Sequence, residues 1–278
     1  MKIKFFCPRW GAEHIEWEPF LQSVKEAGYA GIEWFPYAEK GDYFEVIKLL
    51  ERYELAFIIV MAVIERIDDI NKYLAELERQ LLALSAIRTN LKSPLFISTQ
   101  PGREFFKDQQ VDECLLVCKK VSELTGIPIH QETHRNKWTF AAHQVYHHLQ
   151  RHTDIILTLD VSHWFCVSES YLQDQQPAVD LAIKHAKHIH ARVGHTEGPQ
   201  VWAPDSEEYA EALNEHLTIW DKWVHKMKDS GAPYCTITPE FGPPPYMVFA
   251  NRQGTPFEEQ WRVNLWMKNL LEKRYAEF

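Results

Sequence analysis

The chain has 278 residues and a mass of 32.7 kDa, 45% of it hydrophobic and 25% charged, the composition of an ordinary globular protein with ample material for a core. Its 30 basic residues against 39 acidic ones give a net charge of −9, which argues against general attraction to nucleic acid or to an anionic membrane surface. The five cysteines, Cys7, Cys114, Cys118, Cys166 and Cys235, form no Cys-x-x-Cys pair, so neither a disulfide framework nor a thiolate zinc site is indicated, and a reducing cytosol fits.

The N-terminal MKIKFFCPRWG has a three-residue apolar run before Pro8, too short for the core of a signal peptide. No stretch approaches the roughly eighteen apolar residues of a membrane span. Strand-like runs, rich in β-branched and aromatic residues, then recur at IKFFC (3–7), GIEWF (31–35), AFIIVMAV (56–63), PLFIST (94–99), IPIHQET (127–133), IILTLDV (155–161), HIHARV (188–193) and YCTITPE (234–240). Helical patterns lie between them. The clearest covers 68–92, where Ile70, Leu74, Leu77, Leu81, Leu84, Ile87 and Leu91 recur at spacings of three and four, with Asp68 and Asp69 at the end that favours negative charge. Val111, Cys114, Leu115, Cys118 and Val121 repeat the stripe in the fourth helix, which Gly126 stops. No linker rich in Gly, Ser or Pro divides the chain. Eight strand-and-helix units in about 250 residues predict a single α/β domain over 1–278, a closed parallel (β/α)8 TIM barrel. An open doubly wound sheet is the alternative, and no Gly-x-Gly-x-x-Gly turn follows the first strand to support it.

In such a barrel alternate strand residues face the interior, and chemistry gathers at the C-terminal strand ends. Period two sets His130, Glu132 and His134 on one face of strand five, and Thr158 and Asp160 on one face of strand six. It likewise groups His188, His190 and Arg192 on strand seven, and Thr236, Thr238 and Glu240 on strand eight. A lone buried Glu or His is most often a structural hydrogen-bonding residue, but polar ends on consecutive strands point to a shared site. Glu132, Asp160 and Glu240 in one cavity would repel one another into protonation unless positive charge sat among them. A divalent cation held by Glu132, Asp160, His190 and Glu240 supplies that charge. One imidazole with carboxylate oxygens suits Mn²⁺, Mg²⁺ or Co²⁺, and Zn²⁺ also fits.

At these residues the chain resembles the xylose isomerase-like superfamily of sugar phosphate isomerases and epimerases, divalent-metal (β/α)8 barrels. That family has a Glu ending strand five, an Asp followed three residues later by His after strand six, an apolar-His pair in strand seven and a Glu ending strand eight. Here these are Glu132 in QETH, Asp160 and His163 in LDVSHW, His190 in HIHAR and Glu240 in TPEFG. AGYAGIEW resembles the family's Gly-x-x-Gly-apolar-Glu stretch, ending in Glu33. The resemblance spans nearly the whole chain, with one departure. Where many relatives carry Asp three residues after the strand-seven His, this chain has Val193 and then Gly194, with Arg192 and His195 the polar residues nearby.

The resemblance implies a metal-dependent isomerase or epimerase of a small sugar, sugar phosphate or related polyol acid. Proton transfer next to a carbonyl would pass through a metal-stabilised enediolate, with Glu132 and Glu240 as candidate acid and base; a hydride shift is equally open to the superfamily. His163 is expected to reach a substrate oxygen or the metal. Arg192 would bind a substrate anion or support a ligand carboxylate. His134, Glu33 and Trp10 complete the expected substrate-binding set. Trp34, Trp164 and Trp202 also fall near strand ends, but ten tryptophans make packing the ordinary role for any one. The segment GHTEGPQVWAPDS (194–206) reads as a lid or binding loop, FGPPPYM as a proline-stiffened turn and Cys166 as structural. Two alternatives stand beside this reading. An endonuclease IV-like metal-dependent phosphodiesterase would use further histidines on early strands, which GIEWF and AFIIVMAV lack. A non-catalytic sugar-binding barrel would have less reason to keep both Glu132 and Glu240. The expected partner is a small sugar-derived molecule rather than nucleic acid or membrane, the expected location is cytoplasmic, and an oligomer is left open.

Overall fold

The structure, a computed structural model, describes residues 1–39, 41–249 and 253–277. Among them are eight strands: β1 (Lys2–Pro8), β2 (Gly31–Trp34), β3 (Ala56–Met61), β4 (Ile97–Thr99), β5 (Ile129–Glu132), β6 (Leu157–Leu159), β7 (Ala186–His190) and β8 (Tyr234–Thr238). They pair in sequence order, all parallel, and β8 returns to β1 to close the barrel. Around them run α1 (Trp17–Glu26), α2 (Tyr43–Arg52), α3 (Ile70–Ser85), α4 (Asp108–Thr125), α5 (Ala142–Arg151), α6 (Ser162–Ser168), α7 (Gln176–His185), α8 (Ala210–Asp229) and α9 (Pro256–Arg274). None of the described helices is long and apolar enough to cross a membrane.

Alternation along each strand divides the interior into two compartments. Ile32, Phe57, Ile59, Ile97, Leu157, Leu159, Ile189 and Ile237 point outward and are fully buried with the helices in the main core. Phe6, Ile58 and Phe96 form a smaller cluster inside the barrel. The His130 ring stacks on Phe96 with centroids 3.9 Å apart and planes 12° from parallel. Burial pushes the His130 pKa well below its ordinary value, so it serves as a neutral aromatic plug. Above it polar side chains pair with one another: Ser98 donates to Thr158 at 2.9 Å, and His188 Nδ1 lies 2.8 Å from the Thr236 hydroxyl.

Several strands stop short of the expected runs. Asp160 lies one residue past β6, and Arg192 and Glu240 two residues past β7 and β8; around Asp160 and Glu132 side chains take over from the ladder. The Thr133 hydroxyl donates to the Asp160 carbonyl and accepts from its N–H, both at 2.7 Å, and the Thr139 hydroxyl takes the Glu132 carbonyl at 2.5 Å. The helix expected over 68–92 begins at Ile70, capped by the Asp69 carboxylate on the Lys72 N–H, and ends at Ser85. Thr89 breaks the pattern: its hydroxyl accepts from the Leu91 and Lys92 N–H groups, turning the chain and leaving Leu91 86% exposed. Gly126, at φ 73°, ends α4 as expected. An unforeseen short helix, α6, starts directly after Asp160, whose Oδ1 accepts the Ser162 N–H at 2.9 Å.

Candidate functional site

The ends of β5 to β8 bring Glu132, Asp160, His190 and Glu240 to the barrel mouth. One donor atom from each of Asp160, His190 and Glu240 lies within 4.8 Å of the others. Around His190 Nδ1, Glu240 Oε2 stands at 3.1 Å and Glu132 Oε1 at 3.9 Å. The Glu240 oxygen lies off the nitrogen's hydrogen-bonding axis, so the wholly buried Nδ1 has no hydrogen-bond partner. The ring's other nitrogen is engaged, with Nε2 2.9 Å from Glu33 Oε1. With the Nε2 N–H donated to Glu33, loss of the Nδ1 proton would free that nitrogen's lone pair beside Asp160 and Glu240. An orphaned imidazole nitrogen facing carboxylate oxygens is a donor set that fits a divalent cation. Glu33, His188 and His190 make a second close trio, but it draws on the His190 nitrogen that Glu33 already occupies.

The expected repulsion among the carboxylates is relieved from within the chain. Arg192 Nη2 is bonded to Asp160 Oδ2 and lies 3.7 Å from Glu240 Oε2. Asp160 Oδ1 accepts from the Ser162 hydroxyl at 2.5 Å. Burial disfavours a proton on His190, yet Glu240, Glu33 and Glu132 raise its pKa well above the usual value. Burial would also raise Glu33, but His190 and His188 hold it well below the carboxylate range. Burial outweighs the pull of His190 on Glu132, and with Glu240, Glu33 and Asp160 adding to it the pKa is pushed up to about 8. A cation at Nδ1 would therefore displace a proton from His190 and compete with Arg192 for Asp160 Oδ2.

His163, on the first turn of α6, and His134, two residues past β5, come together with ring centroids 4.0 Å apart. Burial, helped by Arg192 and Arg135, pushes His134 down to about 3 and His163 well below its ordinary value, so both are neutral hydrogen-bonding groups. His163 Nε2 lies 2.7 Å from Arg192 Nη2, and Nδ1 lies 3.0 Å from Arg135 Nη1. A neutral imidazole accepts at only one nitrogen, so one of these guanidinium contacts sets donor against donor. Trp10 meets the Tyr246 ring edge-on at 5.3 Å and lies over Gly242, where a Cβ would come within 2.1 Å of the indole. Glu33, Trp10, Glu132, His134, Arg192 and Glu240 all face one cavity of about 250 Å³.

Reasoning from sequence missed three contributors. Gln100 donates to Glu132 Oε1 at 2.7 Å, and Ser98 to Oε2 at 3.4 Å. Tyr246 presents its ring to the guanidinium groups of Arg135 and Arg192, at 4.9 and 5.2 Å. Gln100 directly follows PLFIST, so its place at a strand end was the available signal, but a neutral side chain carries no charge to explain. The 194–206 segment, read from sequence as a lid or binding loop, has internal structure and is tied to the turn after β8. His195 and Gly198 form an antiparallel bridge, and Gln200 exchanges two hydrogen bonds with the Gly242 backbone, 2.7 and 3.2 Å. Trp34 and Trp164 are buried packing residues, bonded to Glu39 and to the Thr139 carbonyl. Burial raises the Cys166 thiol, which leaves it without nucleophilic activation.

No family model matches the chain, and no curated protein matches it by sequence. Solved structures do. The protein is similar to an IOLI protein with a bound zinc atom, at 13% identity over 98% of this chain and 99% of that one, with a TM-score of 0.64. It is similar to a 3-keto-D-glucoside 4-epimerase from E. coli, at 14% identity over 96% and 100% of the two chains and a TM-score of 0.59. It is also similar to a family 2 AP endonuclease from Brucella melitensis, at 10% identity over 92% and 96% and a TM-score of 0.56. The fold is a closed (β/α)8 TIM barrel, similar also to a xylose isomerase-like TIM barrel protein from Mycobacterium smegmatis at 12% identity and a TM-score of 0.53. Likeness at this level extends to an epimerase and an endonuclease alike, so the chemistry has to be argued from the site.

Proposed function

We propose that the protein is a divalent-metal-dependent isomerase or epimerase of a small sugar or sugar derivative. The observation that carries this reading is the convergence of Asp160 and Glu240 on a buried His190 nitrogen that has no hydrogen-bond partner, with Glu132 beside it. Glu132, Asp160, His190 and Glu240 would hold the ion, and Glu33 would fix the His190 tautomer. When bound, a divalent cation there would supply positive charge to the oxygens of a developing enediolate.

The chain's own groups divide the remaining work. Glu132 and Glu240 flank one point from strands three apart in the barrel, so one can take a proton from carbon while the other returns one. Gln100 and Ser98 orient Glu132 as neutral donors. His134, held neutral by burial on the cavity wall, can hydrogen-bond a substrate hydroxyl without adding charge, while His163, wholly buried between Arg135 and Arg192, helps position Arg192 instead of reaching the substrate. Trp10 provides an aromatic wall against which an apolar sugar face can lie. The free, mostly buried cysteines fit a reducing, cytosolic location.

The test is a product-resolved screen of metal-loaded protein against aldoses, ketoses, their phosphates and sugar acids. Conversion that Glu240→Gln abolishes with the fold intact supports the reading. Full activity in that variant, or DNA nicking in place of sugar conversion, would overturn it.

A further inference from the structure

Beside the central cavity lies a second, larger one of about 670 Å³, and the two share Ala62, Ile64, Gln100 and His134 as walls. Its walls come from the connections after β3, β4 and β5, and it contains Lys137. Lys137 is only 7% exposed, yet its ammonium makes no hydrogen bond or ion pair with any described residue. The turn that carries it is well fixed: Asn136 adopts φ 75°, the Lys137 N–H donates to the His134 carbonyl at 3.1 Å, and the Lys137 carbonyl accepts from Phe140 at 3.0 Å. The fold therefore presents a mostly buried ammonium to the cavity with no hydrogen-bonded counter-ion, Glu132 and Glu104 being the carboxylates that act on it, so an anion entering the cavity would find an uncommitted donor.

Arg103 stands nearby on the same wall. Its Nε reaches Glu104 at 3.3 Å, and its terminal nitrogens make no hydrogen bond among the described residues. Arg66 adds a third cation at the exposed rim. The acidic groups of the wall, Glu65 and Asp68, are exposed, and Glu65 already accepts from Gln80 at 3.4 Å. Arg192, the cation of the central cavity, is committed to Asp160 and His163. Burial, and then Arg103, lowers the Lys137 pKa, and Glu132 and Glu104 offset this only in part.

We propose that Lys137 and Arg103 form an anion subsite beside the metal cluster, so that the substrate carries a phosphate or carboxylate on the end remote from its reacting carbons. The name "substrate" rests on the function proposed above; the anion site itself does not. A planar guanidinium beside a compact ammonium suits a tetrahedral phosphoryl or a carboxylate group equally.

The test uses the full chain with inorganic phosphate and acetate as probes. Reductive methylation read by mass spectrometry reports Lys137 directly, and calorimetry reports affinity. Phosphate or acetate should protect Lys137 from modification beyond chloride at equal ionic strength, and which of the two protects better identifies the anion class. Lys137→Met should weaken binding of the protecting anion tenfold or more, Arg103→Gln should weaken it several-fold, and neither should change metal content. Glu240→Gln should keep anion protection while losing turnover, which separates failure of the catalytic reading from failure of the subsite. Absence of protection by both anions, or binding unaltered in both Lys137→Met and Arg103→Gln, would overturn the proposal.

Discussion

Arg192 faces Asp160, where the sequence suggested a substrate anion or a supported ligand carboxylate. Ser162 already orients that carboxylate through Oδ1, so the guanidinium contributes mainly charge. Arg192→Ala should then destabilise the cation-free protein by roughly 3 to 5 kcal/mol, the cost of stripping one partner from a buried pair. It should also tighten divalent-cation binding, because a competing positive charge is gone. Glu33→Gln should do the reverse to the metal, weakening it roughly 10- to 100-fold by removing the group that orients His190. Unfolding in chelator and competitive metal titration check both, and weaker metal binding in Arg192→Ala would contradict this assignment. Glu132, Asp160, His190 and Glu240 stood out in the sequence because a charged or imidazole side chain at the end of an apolar strand needs a reason. Gln100, Ser98 and Tyr246 did not, since neutral groups cost little on a strand or loop. The pairing of Arg192 with Asp160 depends on distances across the barrel that strand periodicity does not give.

Among the elements, the strands were placed well in the sequence and their ends poorly, for the same reason: apolar periodicity marks what is buried, while boundaries depend on local capping. The run 68–92 shows both effects. Leu77, Leu81 and Leu84 are buried on the core face of α3, but the Thr89 turn ends the pattern before Leu91. Of the two acids at its start, Asp69 is the cap and Asp68 has no such bond. Asp69→Ala should therefore cost about 1 kcal/mol, and Asp68→Ala should stay within about 0.5 kcal/mol. Urea unfolding of the two variants decides the matter, and equal losses would show that charge near the helix end matters more than the cap. Helix α6 was not foreseen because its start is set by a side-chain bond from Asp160 rather than by an apolar stripe. The same helix carries His163 into the site.

For the molecule as a whole, eight alternating units led to the closed barrel, since parallel strands joined by helices must either close or leave edges. Outside the barrel, His216 on α8 shows how its stability should depend on pH. It is fully buried, with Nδ1 2.8 Å from the Ala212 carbonyl and Nε2 accepting the Gly194 N–H at 3.4 Å. Burial, only partly offset by the Ala212 bond, pushes its pKa down to about 4. The unfolded chain would take up the proton near the ordinary value of about 6.5. The stability that His216 contributes is thus complete above that pH and falls as the solution is acidified toward about 4, by roughly 3 kcal/mol in all. His216→Gln should lose less stability than the parent between neutral pH and pH of about 5; equal losses would place the acid sensitivity in other buried groups. The proposed enzymatic activity depends on the cation site, and titration of chelator-stripped protein with Co²⁺, followed by absorption and elemental analysis, tests that site most directly. We expect saturation at about one ion per chain, with the absorption signature lost in His190→Ala. Failure to take up Co²⁺, Mn²⁺, Mg²⁺ or Zn²⁺, or uptake unchanged in His190→Ala, would contradict it.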